Sequence, residues 1–453
     1  MKNIRMDEEA AAGQHAQIFP VPHATKPYWR TELHSIDPHR STEHLPGDAD
    51  IVIIGAGLSG VATAYHLSKI AELQPPSIVL LDARNVCEGA TGRNGGHIKV
   101  LSDNLHRIGK RNGVAAAEEF AEFGQSTIYA IKHTVEEEDL TANLSCDVAL
   151  MRILTATKPG GPAKTFKNSV YEGHSWTKQC SLVPERFVEQ VTCLNQAKAA
   201  ISVPAASFWP YKFVTQLLAK LVDHDLVNLQ TNTPVTAVSS ENTVTTSRGS
   251  IRAGKVIFAT NGHTGGLLAQ YVDAIVPYKG TACHIKPKTA VAPHLSQTYN
   301  IHYPHFGPNE VDYLNPRPDG GIVVGGAKWT FEHRRSAWYN NWDDSTLLPP
   351  AKSAHFDGLM QRNFRGWEHS GAEVDHVWTG VQAATPDQMP HIGEVPGSGG
   401  TRYVLAGYNG GGMSLIYLCA KAVAEMVGKD LTFEETGLLR SFKTSSERLA
   451  SRP

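Results

Sequence analysis

Cysteine is scarce in this chain: six in 453 residues, at Cys87, Cys146, Cys180, Cys193, Cys283 and Cys419, with no C-x-x-C pair. Thiols so few and so scattered favour free cysteines in a reducing compartment over a disulfide framework or a zinc site. The 21 histidines include no H-E-x-x-H or H-x-H pattern, so no metal site is expected. His302 and His305, three apart in a Pro-rich stretch, read as loop or pocket histidines, with metal ligation as the alternative. No apolar run approaches the roughly 18 residues that span a bilayer. A basic excess is also missing: the formal net charge is −2, so neither nucleic acid nor an anionic membrane is an expected partner. The polar N-terminus has no apolar h-region, and residues 451–453 do not read S-K-L. The expectation is a soluble cytoplasmic protein.

What is present is ample apolar material, 41% of residues, against only 19% charged. The length suggests two or three domains. The first strong element is Ile51 to Ile54, a continuous apolar run of the kind buried in parallel sheets. Gly55-x-Gly57-x-x-Gly60 follows at once, then a helical pattern over 61–73 and a second apolar run, Ile78 to Leu81, closed by Asp82. This is one β-α-β unit of about thirty residues. Each part has a physical role. Gly55 permits the tight turn, Gly57 lets backbone approach a pyrophosphate, and Gly60 lets helix and strand pack closely. The helix N-terminus offers free N–H groups to phosphate, and Asp82 can accept hydrogen bonds from a ribose. The motif alone does not separate FAD from NAD.

Similar signals recur in two later blocks. A helical pattern covers 210–223, strands are expected at 235–238 and 244–246, and a buried strand over 255–260 ends in Asn261-Gly262. The run 403–406 leads into a Gly-rich loop at 407–412 and a helix over about 413–427. The intervening blocks read as a helix with an acidic stretch, strands near 147–156, and further strands within 276–375. The predicted layout is a surface-lying N-terminal extension (1–47), a nucleotide-binding domain (48–105, 210–275 and 376–453) and a discontinuous second domain (106–209 and 276–375).

The loop at 88–97 carries four glycines and an asparagine directly after the second strand. NAD-binding domains usually continue there into an ordinary helix. Such a loop suits close backbone approach to a flat polar ring system.

Taken together, D-x-x-I-x-G-A-G-x-S-G at 50–60, G-A-T-G-R-N-G-G at 89–96, A-T-N-G at 259–262, W-T-G at 378–380, T-P-D-x-x-P-x-I-G at 385–393 and A-G-Y-N-G-G-G-M at 406–413 resemble the D-amino-acid-oxidase-like FAD oxidoreductases. The resemblance spans about residues 48–430. It implies an α/β fold: a glutathione-reductase-type, Rossmann-like FAD domain with a discontinuous, mainly antiparallel α+β substrate domain. It also implies an enzyme that oxidises the C–N bond of a small primary or secondary amine to an imine by hydride transfer to flavin N5. Hydrolysis follows, with oxygen or another carrier as electron acceptor. An amino-acid oxidase, or a flavoprotein acting on a carrier-bound or macromolecular substrate, is the alternative.

By the same resemblance, FAD would be held by Gly55, Ala56, Gly57, Leu58, Ser59 and Gly60 at the pyrophosphate and by Asp82, Ala83 and Arg84 at the ribose. Ala90, Thr91, Gly92, Arg93, Asn94, Gly95, Gly96 and His97 would lie along the phosphates and isoalloxazine. Val235 would reach the adenine. Thr260, Asn261, Gly262, Gly380, Asn409, Gly410, Gly411, Gly412 and Met413 would complete the site. Tyr313 matches a tyrosine that lines the substrate pocket. Tyr303, His305 and Trp329 are further pocket candidates, and Lys279 and Lys328 are candidate cations for oxygen activation.

The departures matter too. Amino-acid-oxidising members often read W-x-G-x-R, whose Arg grips the substrate carboxylate; here Gln382 stands in that place. An amine without an α-carboxylate is therefore expected. Gly380 stands where sarcosine-oxidase-like members attach FAD through Cys. His97 lies one residue from the flavin-linked His of dimethylglycine-dehydrogenase-like members. Non-covalent FAD is expected, with a His97 link as the alternative. Gly411 replaces a frequent His.

Overall fold

The structure, a computed structural model, describes residues 18–70, 75–100, 102–154, 162–303 and 311–450. Two sheets organise the chain. The first is built on a parallel core in the spatial order 402–406, 249–258, 48–54, 78–81, 228–230. Its strands come from residues 48–81, 228–258 and 391–406. Asp48–Ile54 is central, and its last four residues are buried on both faces. That explains why it reads as an unbroken apolar run rather than an alternating one. Val235–Val238 and Thr243–Thr246 form the expected hairpin on this sheet.

Three helices cover the parallel core. Leu58–Ile70 packs against Ile416–Lys429 and against Pro210–Asp223. The last opens with proline at its first turn, where the missing N–H costs nothing. It buries Tyr211, Val214, Leu218 and Leu221, the stripe its period predicts.

The second sheet has nine strands in the order 373–384, 276–286, 322–325, 311–316, 298–302, 145–154, 199–207, 97–99, with 181–183 attached to 199–207. All its pairings are antiparallel except 298–302 with 145–154. The acidic stretch ends a long helix, Val114–Glu137, preceded by a separate one, Ser102–Asn112. Gly113 sits between them at φ 93, a conformation that no continuing helix tolerates.

The N-terminal arm corrects one expectation. It does not simply lie along the surface: Tyr28, Trp29 and Arg30 form a buried 3-10 turn, and Trp29 is 0% exposed. Its indole Nε1 donates to the Asn94 carbonyl at 2.5 Å, and its own carbonyl accepts from Trp209 Nε1 at 2.7 Å. Arg30 grips Asp37 with two bonds of 2.8 and 2.9 Å inside the protein. Burying that pair is tolerated because each charge finds its partner and Arg30 also donates to the Val86 carbonyl. Further along, Ser41 N–H donates to the Leu229 carbonyl, and Arg40 bridges to Gln230, so the arm covers the free edge of strand Asn228–Gln230. Among the described residues, no helix is long and apolar enough to cross a membrane.

Candidate active site

The glycine turn between Asp48–Ile54 and Leu58–Ile70 is as tight as its sequence requires. Gly55 sits at φ 114, and a Cβ there would lie 2.6 Å from the Ala259 carbonyl oxygen. A Cβ on Gly60 would lie 1.9 Å from the Gly55 carbonyl oxygen. Helix and strand therefore meet backbone to backbone. Asp82 closes the turn: its carboxylate accepts from Ala56 N–H at 2.8 Å and Arg84 N–H at 2.9 Å. Burial raises its pKa to about 6, against the pull of those two donors and of Arg84. Arg84 spends its guanidinium on Asp344 and on the carbonyls of Val21 and Glu88. Val235 is buried at the start of its hairpin, and Ala83 lies between Asp82 and Arg84.

Thr91 joins this turn to a cavity. Its Oγ1 accepts from Leu58 N–H at 3.0 Å and lies 3.2 Å from where a Gly57 Cβ would stand. Thr91 also lines a cavity of about 690 Å³ at the junction of the two sheets. That cavity takes in Ala90, Arg93, Asn94, Gly95 and His97 from the first Gly-rich loop, and Asn261, Gly380 and Asn409 to Met413 from the others. Gly92 and Gly96 support the loop from behind: a Cβ on either would strike the backbone of Cys87 or Phe208. Gly262 does the same against the Gln382 carbonyl. Thr260 Oγ1 pairs with Thr264 Oγ1 at 2.9 Å. Ser59 is buried in the first helical turn.

The loop side chains mostly brace one another. Arg93 donates to the carbonyls of Glu88 and Thr379 and to Thr25 Oγ1. Asn94 accepts from Gly96 N–H and donates to the Thr91 carbonyl and to Met413 Sδ. Asn409, at φ 51, accepts from Thr385 N–H and donates to the Gly407 carbonyl. Gly411 differs from these: a Cβ there meets only the Tyr408 carbonyl oxygen, at 3.7 Å, so it would project into the cavity. The missing side chain leaves room for a flat ring against bare backbone. These features fit FAD: a glycine turn at a helix N-terminus, an acid at the next strand end, and a glycine-walled cavity whose Thr91 hydrogen-bonds back to that turn, although the turn and Asp82 do not themselves line the cavity.

The opposite wall comes from the nine-stranded sheet. Tyr313 is packed so closely that a Cβ on Gly325 would fall 2.0 Å from its hydroxyl, and one on Gly95 2.5 Å from its ring. Gln382 Oε1 accepts from Tyr278 Oη at 2.7 Å, which fixes its amide toward the cavity. Burial raises the Tyr278 pKa to about 12. Lys328 lines the same space, its ammonium 4.5 Å from the Trp338 ring centre.

Three sequence candidates stand elsewhere. Lys279 does not line the cavity; its ammonium donates to Thr346 Oγ1 at 2.8 Å. The cause is strand alternation: Tyr278 faces the cavity, so its neighbour faces away. Tyr303 and Trp329 pack edge-on against each other and against His355, and neither lines the cavity. His305 falls outside the described residues.

Two residues were missed. Tyr278 could have been found by applying alternation to the strand that carries Lys279. Lys99 had no such signal. It ends the short strand His97–Lys99, and its ammonium donates to Asn300 Oδ1 at 2.5 Å. It stands 5.2 Å from the Tyr313 ring centre. Desolvation lowers its pKa to about 7. Beside it, His97 is buried with neither ring nitrogen hydrogen-bonded among the described residues, and burial holds it well below the usual imidazole range.

A family model described as FAD dependent oxidoreductase matches residues 50–426. Sarcosine oxidase subunit beta of Rhodobacter capsulatus is 22% identical over 403 residues, covering 84% of this chain and 85% of that protein. Gamma-glutamylputrescine oxidoreductase of Escherichia coli is 21% identical over 407 residues, covering 84% of each. Among solved structures, L-proline dehydrogenase from P. horikoshii superposes with a TM-score of 0.65 at 20% identity, covering 86% of this chain and 95% of that one. Glycine oxidase from Geobacillus kaustophilus does so with 0.65 at 17% identity, covering 85% and 96%. At such identities the structural likeness is one of fold.

Proposed function

Because the chain belongs to the DAO family of FAD dependent oxidoreductases, we propose that it catalyses the two-electron oxidation of the C–N bond of a small primary or secondary amine. The product is an imine, which water hydrolyses to a carbonyl compound and an amine or ammonia, and oxygen takes the two electrons and leaves as hydrogen peroxide. The observation that carries this reading is the Gln382–Tyr278 pair facing the glycine-walled cavity. A neutral amide accepts and donates hydrogen bonds but supplies no charge to hold an α-carboxylate. The names of the two curated relatives, one for sarcosine and one for gamma-glutamylputrescine, agree with a small nitrogen-bearing substrate.

FAD bound here supplies two-electron acceptance; the chain supplies position and polarity. The residues proposed to hold it are those of the glycine turn, Asp82, the 90–97 loop and Asn409 to Met413. Non-covalent binding is the simpler reading, since Gly380 offers no thiol. His97, whose ring nitrogens have no hydrogen-bond partner among the described residues, is the candidate for a covalent link, and the mass of the denatured protein tests it. Tyr313, wedged between Gly95 and Gly325, forms a rigid apolar wall that orients a substrate carbon and excludes water. The FAD-binding part is assigned to 48–105, 210–275 and 376–453 and the substrate part to 106–209 and 276–375. Strand 97–99, inside the first of these segments, and strand 373–384, which crosses position 376, both belong to the nine-stranded sheet and both line the cavity.

A second reading, oxidation of an amino acid, is favoured by one observation: Lys99, when protonated, places a cation beside Tyr313. Substitution at Gln382 separates the two. Gln382→Arg is expected to raise kcat/KM for α-carboxylated amines by about 10- to 100-fold relative to their decarboxylated partners, the worth of one charge-assisted contact. A wild-type enzyme that already prefers the carboxylated partner, unchanged by the substitution, sinks the Gln382 argument.

A further inference from the structure

Strand Glu373–Ala384 is the outer strand of the nine-stranded sheet, and it pairs along its length with Val276–Lys286. The register is regular until His284. His284 lies opposite His376, but Ile285 lies opposite Val374, so Asp375 is an extra residue with no partner. Such a bulge breaks the alternation of side chains. Its consequence here is that Asp375 and His376, adjacent in sequence, both reach the side occupied by His284. Asp375 Oδ1 stands 2.8 Å from His284 Nδ1 and 3.2 Å from His376 Nδ1. One ligand atom from each residue falls within 4.8 Å of the others.

His284 is held firmly. Tyr28 of the N-terminal arm stacks on its ring at 3.9 Å and 9°. On the Nε2 side a Cβ on Gly321 would come within 2.2 Å, so only glycine fits there. The ring is 1% exposed, and Nε2 has no hydrogen-bond partner among the described residues. Its one polar commitment is therefore through Nδ1, toward Asp375. His376 Nδ1 is buried and close to the same carboxylate, yet not in hydrogen-bonding geometry. Two imidazole nitrogens thus face one carboxylate oxygen, and only one of them bonds to it. An ion between them would use all three.

We propose that His284, Asp375 and His376 form a binding site for a divalent transition metal ion, zinc by donor type, that ties the outer strand of the sheet to its neighbour and to the arm. The donors are two nitrogens and one oxygen, a set that suits zinc and not magnesium or calcium, which take oxygen. Around a tetrahedral ion with bonds near 2.1 Å, ligand atoms stand about 3.4 Å apart. The His376–Asp375 distance of 3.2 Å lies close to that value, and the His284–Asp375 distance of 2.8 Å opens by roughly 0.6 Å to admit the ion. The His376 ring, 30% exposed and packed edge-on against Tyr28 and His284, must turn to close the third. Water completes the shell from the open side. The site is some 20 Å along the strand from Tyr278, six residues away at the usual rise, so it is separate from the cavity. No sequence motif announces it: the ligands come from positions 284, 375 and 376, and strand pairing alone joins them.

The test uses the full chain with its flavin. The protein is stripped with a chelator, dialysed against micromolar zinc chloride, and its zinc measured by mass spectrometry. Wild type is expected to retain about one zinc per chain more than Asp375→Asn or His376→Ala. Its melting temperature is expected to rise on adding zinc while theirs does not. Flavin content and visible spectrum serve as the control for folding, and both variants are expected to keep them. Equal zinc in wild type and both variants, or no zinc retained by wild type, overturns the proposal and leaves the flavin site untouched.

Discussion

Gly60→Ala is expected to purify folded but colourless, with FAD affinity lowered at least ~100-fold. The added methyl would start 1.9 Å from the Gly55 carbonyl oxygen and 3.2 Å from Ile53 Cγ2. Neither backbone nor a buried strand side chain can give that much, so the N-terminal turn of helix Leu58–Ile70 must lift from the sheet. That turn is what presents N–H groups to a pyrophosphate, and displacing it removes several directed contacts together. Helix propensity works in the opposite direction, since alanine favours the helix over glycine by about 1 kcal/mol. Loss of flavin with unchanged circular dichroism is thus specific to the close approach. A yellow Gly60→Ala protein with normal flavin content would refute this geometry.

Lys99→Met is expected to slow flavin reduction by about 100-fold at pH 8 and to erase an ionisation near pH 7 from the rate profile. In wild type the ammonium is surrounded by Asn300, the Tyr313 ring and the uncharged His97, with Ser414 bonded to its backbone. Below pH 7 it is a cation and repels an ammonium substrate. Above pH 7 it is a neutral amine and can take the substrate's proton, which leaves the nitrogen lone pair available; positioned bases of this kind contribute 10²–10⁴-fold. The rate should therefore rise with pH through about 7. Stability should follow the same lysine. The folded pKa is lowered to about 7 from 10.5, so the unfolded chain binds more protons between those values. Stability rises with pH across that window, and the cost of the charged form is fully felt below pH 7. Lys99→Met should flatten that slope. A wild-type profile with no inflection between pH 6 and 8 would remove Lys99 from the chemistry.

These two residues also mark the limits of the sequence. Gly60 was legible because its constraint is local: the strand, turn, helix and Asp82 all fall within one β-α-β unit. The parallel strands were legible for a related reason, since burial on both faces leaves continuous apolar runs. Gln382 was found through its motif. Lys99 was not, because its meaning depends on Asn300 and Tyr313, which the sheet brings from some 200 residues away. Lys279 was chosen over Tyr278 because charge was weighed and alternation was not. Trp29 looked like part of a polar extension. Its burial follows from three partners, Asn94, Trp209 and Arg317, that no local pattern reveals.

The most direct measurement is flavin reduction without oxygen. Purified enzyme is mixed anaerobically with primary and secondary alkylamines and with the same amines bearing an α-carboxylate, and absorbance near ~450 nm is followed. Rapid bleaching by the carboxylate-free amines is predicted. A protein that binds FAD stoichiometrically yet is bleached by none of them would contradict amine oxidation at this cavity.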